Sequence, residues 1–161
     1  MTRLTRRSAV VLAGLVVVAT AAQAQRRMRG GRAVLVEQPS VGPRVGYDFD
    51  VDHAFVGGQF NLPVGVRWAL APSAEFYPGL GGSPYRFNVD LKFHPPTLYG
   101  LFYLGGGFAY LHAAGAGSAG GDVFAGWEGR RARPVKPFIE GKVVFTSTTS
   151  FNIEAGLNFP L

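Results

Sequence analysis

The chain has 161 residues, which suits one domain of ordinary size, and it contains no cysteine. The missing thiols exclude disulfides, a lipidated cysteine anchor, thiolate metal sites and cysteine catalysis. The formal net charge of +6 is weak support for nucleic-acid binding, because part of it comes from a segment predicted to be removed.

That segment, residues 1–24, has the three parts of a secretory signal peptide. Three arginines lie within the first seven residues, Ala9 to Ala22 is almost wholly apolar, and Ala22-Gln23-Ala24 is an A-x-A cleavage site. The apolar run is shorter than the ~20 residues of a spanning helix, so cleavage after Ala24 is predicted. Arg6-Arg7 also raises a twin-arginine route, but no bulky apolar residue follows the pair, which favours the general secretory route. The mature chain then has 13 Lys and Arg against 10 Asp and Glu.

Residues 25–42 are predicted to form a basic, flexible N-terminal segment with little to bury. Its arginines and glycines are typical of a solvated linker, and contact with anionic lipid or cell-wall polymer is the alternative. A short extra strand at Ala33 to Glu37 is also open, closely bounded by Pro39 and Pro43.

Residues 43–161 read as a succession of eight segments in which apolar and polar residues alternate, the pattern of strands with two different faces. Turn-forming residues separate them, and no stretch has convincing helical periodicity. The glycine and alanine run 113–121 is predicted to be a loop. The predicted strands are Arg44–Val51, Ala54–Leu62, Val66–Phe76, Tyr85–Phe93, Leu98–Leu111, Asp122–Arg130, Val135–Thr146 and Ser150–Leu161.

One face of these strands collects charged residues of both signs, and the other is apolar with aromatic residues towards both ends. The charged face is predicted to hold Arg44, Asp48, Asp50, Arg67, Glu75, Arg86, Asp90, Lys92, Glu128, Glu140, Lys142 and Glu154. Two aromatic bands are predicted, one of Trp68, Phe93, Trp127 and Phe159, the other of Phe76, Tyr85, Phe145 and Phe151.

Strands of this length and aromatic bands at both ends are typical of a membrane-spanning barrel. We therefore predict an all-β fold, a closed antiparallel up-and-down transmembrane β-barrel of eight strands. At this strand number side chains fill the interior, so inward charges would pair across a filled lumen rather than line an open pore. A soluble periplasmic β-barrel, with charges outside and an apolar ligand inside, is the alternative.

The closing strand carries the most specific resemblance. Glu154, Gly156, Phe159 and Leu161 match a terminal assembly signal of the small eight-stranded bacterial outer-membrane β-barrels, the family that includes the transmembrane domain of outer membrane protein A. Leu161 departs from the usual terminal Phe or Trp. The resemblance implies an outer-membrane location, contact with outer-membrane lipids, and recognition by the barrel assembly machinery. It also implies periplasmic turns at Pro63, Pro95-Pro96 and Arg130–Arg133, with four short loops facing outward.

The sequence offers few candidates for catalytic residues. The three histidines, His53, His94 and His112, lie in or beside predicted turns, and none is placed to activate a serine. His53 with Asp50 and Asp52 is a weak candidate for a divalent ion, and polar loop residues are the favoured interpretation. We expect no catalytic residues, metal, cofactor or nucleic-acid partner. A lipid-modifying enzyme using His112 or His53 at the outer rim is the alternative.

Overall fold

The computed structural model describes residues 38–96, 102–129 and 134–161. The predicted signal peptide, most of the predicted N-terminal segment with its possible strand at Ala33 to Glu37, the start of the predicted fifth strand and the predicted turn at 130–133 lie outside these residues. Within them the chain forms β1 (Ser40–Asp48), β2 (His53–Pro63), β3 (Trp68–Phe76), β4 (Tyr85–Phe93), β5 (Phe102–Ala113), β6 (Ala116–Glu128), β7 (Lys136–Phe145) and β8 (Thr149–Pro160).

Each strand pairs antiparallel with the next, and β8 returns to pair with β1, so the sheet closes into a barrel without edges. Closure places Ser40 opposite Pro160 and Asp48 opposite Asn152. The closed antiparallel eight-stranded barrel predicted from the alternation is confirmed. Among the described residues, no helix is long and apolar enough to cross a membrane.

One end of the barrel, which we call the terminus end, holds Ser40, Pro160 and the strand ends joined by the β2–β3, β4–β5 and β6–β7 connections. The other end, the loop end, carries the connections 49–52, 77–84, 114–115 and 146–148. This division of turns between the two ends is the one expected from the sequence.

The predicted bounds of β4 agree with the structure, but two other predictions were wrong. The predicted first strand ran to Val51, whereas β1 begins at Ser40 and ends at Asp48, with Val51 in the following turn. The predicted loop 113–121 is mostly strand, because β6 begins at Ala116 and only Ala114 and Gly115 form the turn. Both turn residues have positive φ, at 50° and 79°, the signs that a type I′ hairpin turn requires.

Alternation along each strand separates the two faces of the cylinder. In β4 the inward residues Arg86, Asn88, Asp90 and Lys92 are buried, and the residues between them are exposed or half-buried. Exposed large apolar side chains cover the outside all round the barrel, while most buried side chains inside are polar or charged. The polar interior and apolar exterior are the reverse of a water-soluble barrel.

Candidate functional site in the barrel lumen

The lumen contains five cationic side chains and seven carboxylates among the described residues. The cations are Arg44, Arg86, Lys92, Lys136 and Lys142; the carboxylates are Asp48, Glu75, Asp90, Asp122, Glu128, Glu140 and Glu154. Every strand except β2 and β5 contributes at least one of them. The interior is therefore a multi-strand charge network rather than a single ion pair.

Two residues predicted to lie in this network are elsewhere. Arg67 lies in the exposed turn 64–67 before β3, so its assignment to the lumen was wrong. Asp50 is exposed in the turn after β1. The structure places Lys136 and Asp122 in the lumen instead. Asp122 shares the parity of Glu128 in the sequence, and Lys136 shares that of Glu140 and Lys142, so the alternation itself was the signal for both.

Arg44 and Arg86 hold the centre of the network. The Arg86 Nε donates to Glu75 Oε2 at 2.6 Å, and its Nη2 lies 3.6 Å from Glu154 Oε1. Arg44 contacts Glu154 directly and lies 3.6 Å from Glu75 and from Glu140. Glu140 and Glu154 face each other across β7 and β8, so two adjacent carboxylates meet in the sheet. The arginines offset a repulsion that would otherwise be costly in a buried site.

Two lysines complete the network further along the barrel. Lys142 Nζ donates to Asp90 Oδ2 at 2.6 Å and lies 3.7 Å from Glu140 and 4.0 Å from Asp122. Lys92 Nζ lies 3.7 Å from the other Glu140 oxygen. Glu140 therefore has three cationic neighbours, Arg44, Lys92 and Lys142, drawn from three different strands.

Aromatic rings on the lumen face support the same cations. Lys92 Nζ lies 4.6 Å from the Tyr103 ring centre, and Lys142 Nζ lies 5.0 Å from that of Phe124. The Arg86 guanidinium carbon lies 5.2 Å from the Phe55 ring centre. A cation over a ring face is favourable, most strongly where water is excluded.

These rings fit inside the barrel because a glycine lies opposite each one. Cross-strand register pairs Gly46 with Phe55, Gly105 with Phe124, Gly126 with Tyr103, and Gly156 with Phe138. At all four glycines a Cβ would come within 2.6 Å of the ring opposite. Glycine thus lets the ring lie flat against the neighbouring strand, an arrangement that also covers the exposed backbone.

Polar layers fill the lumen at each end. Near the terminus end, the Asn158 amide oxygen accepts from Gln59 at 2.7 Å and from Asn61 at 3.1 Å. Asn158 also donates to Glu128, and His94 Nε2 lies 3.9 Å from the same carboxylate.

At the loop end, Asp48 organises the last layer. Its Oδ2 accepts from the Tyr77 hydroxyl at 3.3 Å and lies 3.5 Å from Arg86 Nη1. With its amide nitrogen turned towards Asp48, Asn152 reaches the same oxygen at 2.8 Å and accepts from Arg86 at 2.9 Å. Burial raises the pKa of the Tyr77 hydroxyl, so Tyr77 stays protonated and serves as a donor.

The outside carries aromatic residues at both ends of the strands. At the terminus end, Trp68 and Phe93 are register partners with ring centres 4.7 Å apart. Trp127 and Phe159 each lie one residue from the end of their strand. Towards the loop end, Phe76 pairs with Tyr85, Phe145 ends β7 and Phe151 lies near the start of β8. Phe49 adds to this end by stacking on Phe151, with centres 5.6 Å apart.

Known structures share this architecture. No family model and no curated protein matches the sequence. The N-terminal β-barrel domain of Pseudomonas aeruginosa OprF superposes with a TM-score of 0.65 at 12% identity, over 78% of this chain and 98% of that domain. The de novo designed TMB2.3, solved by solution NMR, gives 0.57 at 16% identity over 78% of this chain and 94% of its own. A designed transmembrane β-barrel gives 0.56 at 14% identity over 78% and 96%.

The chain has the fold of the small transmembrane β-barrels. In such a barrel the exterior is apolar and the charged side chains point to the lumen, and this chain has the same distribution.

The histidines have structural neighbours in this transmembrane β-barrel. His53 Nε2 lies 2.9 Å from the Pro78 carbonyl oxygen, and the His112 ring stacks on Tyr85 with centres 5.0 Å apart. No group of three or more His, Asp or Glu side chains among the described residues is arranged to hold a metal ion. Among the described residues, most of the buried polar and charged side chains lie in the lumen, which is therefore the candidate site.

Proposed function

We propose that the protein is an integral outer-membrane β-barrel with a charged, side-chain-filled lumen. Its role is structural or one of interaction, rather than that of an open pore or an enzyme. The observation that carries this proposal is the inverted distribution of polarity, with ion pairs and amides inside a closed sheet and large apolar side chains outside. A closed sheet satisfies its backbone without water, so such a cylinder is suited to a bilayer.

The filled lumen is supported by burial and by contacts that cross it. Lys142, Glu154, Asn152 and Asn158 have no solvent-accessible surface. Lys142 of β7 reaches Asp90 of β4, three strands away around the barrel. Such contacts across the cylinder leave the interior to side chains, as expected at this strand number.

Export by the general secretory route, insertion by the barrel assembly machinery and contact with outer-membrane lipids belong to the same proposal. The assembly step would use the closing strand, in which Glu154 and Gly156 point inward and Phe159 points out. Under this proposal the terminus end of the barrel faces the periplasm and the loop end faces outward.

Fractionation tests the location. The protein should be recovered in the outer-membrane fraction and should migrate faster on an unboiled gel than after boiling, because a closed barrel resists detergent unfolding. Recovery in the soluble periplasm without a heat-dependent shift would refute the proposal and favour a soluble barrel.

Conductance tests the filled lumen separately. Purified protein reconstituted in a planar bilayer should give no steady open-channel current. A variant carrying Lys92→Ala and Tyr103→Ala, two neighbouring side chains of the lumen, serves as the positive control because it removes volume from the interior. Stable wild-type channels of large conductance would rule out a filled lumen while leaving the membrane location intact.

A further inference from the structure

The seam between β1 and β8 is interrupted near the terminus end. Register pairs run up to Val41 opposite Phe159 and resume at Arg44 opposite Gly156, leaving two rows, 42–158 and 43–157, outside the ladder. Pro43 lies in this gap and pairs with β2 on its other side. Because proline has no N–H, it cannot donate to β8 from this position.

The seam between β2 and β3 has a second gap of the same size. Pairs end at Gln59 opposite Ser73 and resume at Leu62 opposite Leu70. Pro72 lies in the gap and keeps its place in the ladder with β4 on the other side. The six remaining seams are continuous from their first described pair to their last.

The positions of these two prolines matter because the barrel is closed. Proline inside a sheet normally occupies an edge strand, where its missing donor faces solvent. A closed barrel has no edge, so each interior proline can weaken a seam. Pro137 provides a comparison, because it lies in β7 and its ladder with β8 is uninterrupted. The interrupted seams at Pro43 and Pro72 are β1–β8 and β2–β3, so they flank the β1–β2 hairpin on both sides.

When this hairpin leaves, the acids of strands β3–β8 that its arginine contacts each keep another cation, whereas Asp48, on the hairpin itself, separates from Arg86. Arg44 is the cation that the hairpin contributes, and it contacts Glu75, Glu140 and Glu154. Each of these has a second cation from strands β3–β8. Arg86 contacts Glu75 and Glu154, and Lys92 and Lys142 contact Glu140.

We propose that the β1–β2 hairpin is the mobile unit of this barrel. It detaches from β8 and β3 along the two proline-interrupted seams while strands β3–β8 stay paired. The closed cylinder thereby has a defined place to open towards the membrane. The two seams are weaker because each proline lacks the backbone N–H donor at a position where the hairpin meets the rest of the sheet.

Hydrogen–deuterium exchange read by mass spectrometry tests this on the purified full chain in detergent micelles. Peptides from β1 and β2 should exchange about tenfold faster than peptides from β4 and β5, which share an uninterrupted seam. The double variant Pro43→Val, Pro72→Val restores both donors and should slow hairpin exchange by roughly 2- to 10-fold, the factor expected for one or two hydrogen bonds.

Pro137→Val is the matched control, since it changes an exposed proline beside a continuous ladder, and it should leave hairpin exchange unchanged. Equal exchange across all eight strands of the wild type would overturn the proposal. Equal slowing of the hairpin by Pro137→Val would also overturn it. The wild-type comparison decides by itself should the double variant not assemble.

Discussion

Removal of the Arg86 side chain tests whether the lumen network stabilises the barrel. Arg86 is 2% exposed and contacts Glu75 at 2.6 Å, Asp48 at 3.5 Å and Glu154 at 3.6 Å. Breaking a buried pair by removing one partner typically costs about 3–5 kcal/mol, because the remaining charge is left without compensation. Loss of its contact with the Phe55 ring adds about 1 kcal/mol. We therefore expect Arg86→Ala to lower the free energy of unfolding by about 4–6 kcal/mol.

Arg67→Ala is the matched control. It removes the same side chain from an exposed turn and should change the free energy of unfolding by less than about 0.5 kcal/mol. Urea unfolding in detergent micelles, followed by tryptophan fluorescence and the unboiled gel shift, measures both variants. With a denaturant slope of about 2 kcal/mol per molar, Arg86→Ala should move the midpoint down by about 2–3 M.

A charge-balanced variant separates electrostatics from packing. Adding Glu75→Gln to Arg86→Ala removes one of the carboxylates left without its arginine and should recover part of the loss, whereas pure loss of packing would not be recovered. Equal urea midpoints for Arg86→Ala and Arg67→Ala would refute the inward placement of Arg86 and the reasoning based on it.

Three further predictions follow from the two faces and the closing strand. Val89→Arg, at the middle of β4 on the outer face, should destabilise the barrel in lipid vesicles by about 2–4 kcal/mol. The control Val64→Arg, in a turn, should have little effect. Similar urea midpoints for the two variants would argue against lipid contact at the middle of the barrel. Gly156→Leu should prevent folding, because its Cβ would meet an aromatic ring at 2.6 Å, while Gly65→Leu, with open space around it, should fold as the wild type does by the gel-shift assay. Deletion of residues 159–161 should leave protein degraded or aggregated in the periplasm, and normal amounts in the membrane fraction by immunoblot would count against a terminal assembly signal.

The alternation of side chains determined most of the architecture. Along β4, one parity is apolar and the other polar over the whole strand, and β8 shows the same contrast from Phe151 to Phe159 except at Gly156. A period of two fixes which residues share a face whatever the neighbours are. This is why the inward positions of Arg86, Asp90 and Glu154 were predictable, and why eight such segments predicted a closed antiparallel barrel.

The pattern failed where side chains carry little information. Residues 116–121 are alanine, glycine and serine, which show no contrast between faces, and they form a strand because β5 offers them a continuous ladder. The assignment of Arg67 to the lumen was wrong for a different reason. It lies one residue before β3, where the parity of the strand no longer directs a side chain inward.

The sequence by itself determined the two faces, the strand number and the closing strand, because each depends on a local period of two. Only the tertiary structure decided which charges meet, since Lys142 and Asp90 are 52 residues apart and come together through the barrel's register and curvature. It also decided that Gly156, already prominent in the terminal pattern, lies opposite Phe138. Contacts of this kind depend on strand register, which is fixed by the closed sheet as a whole rather than by any single strand.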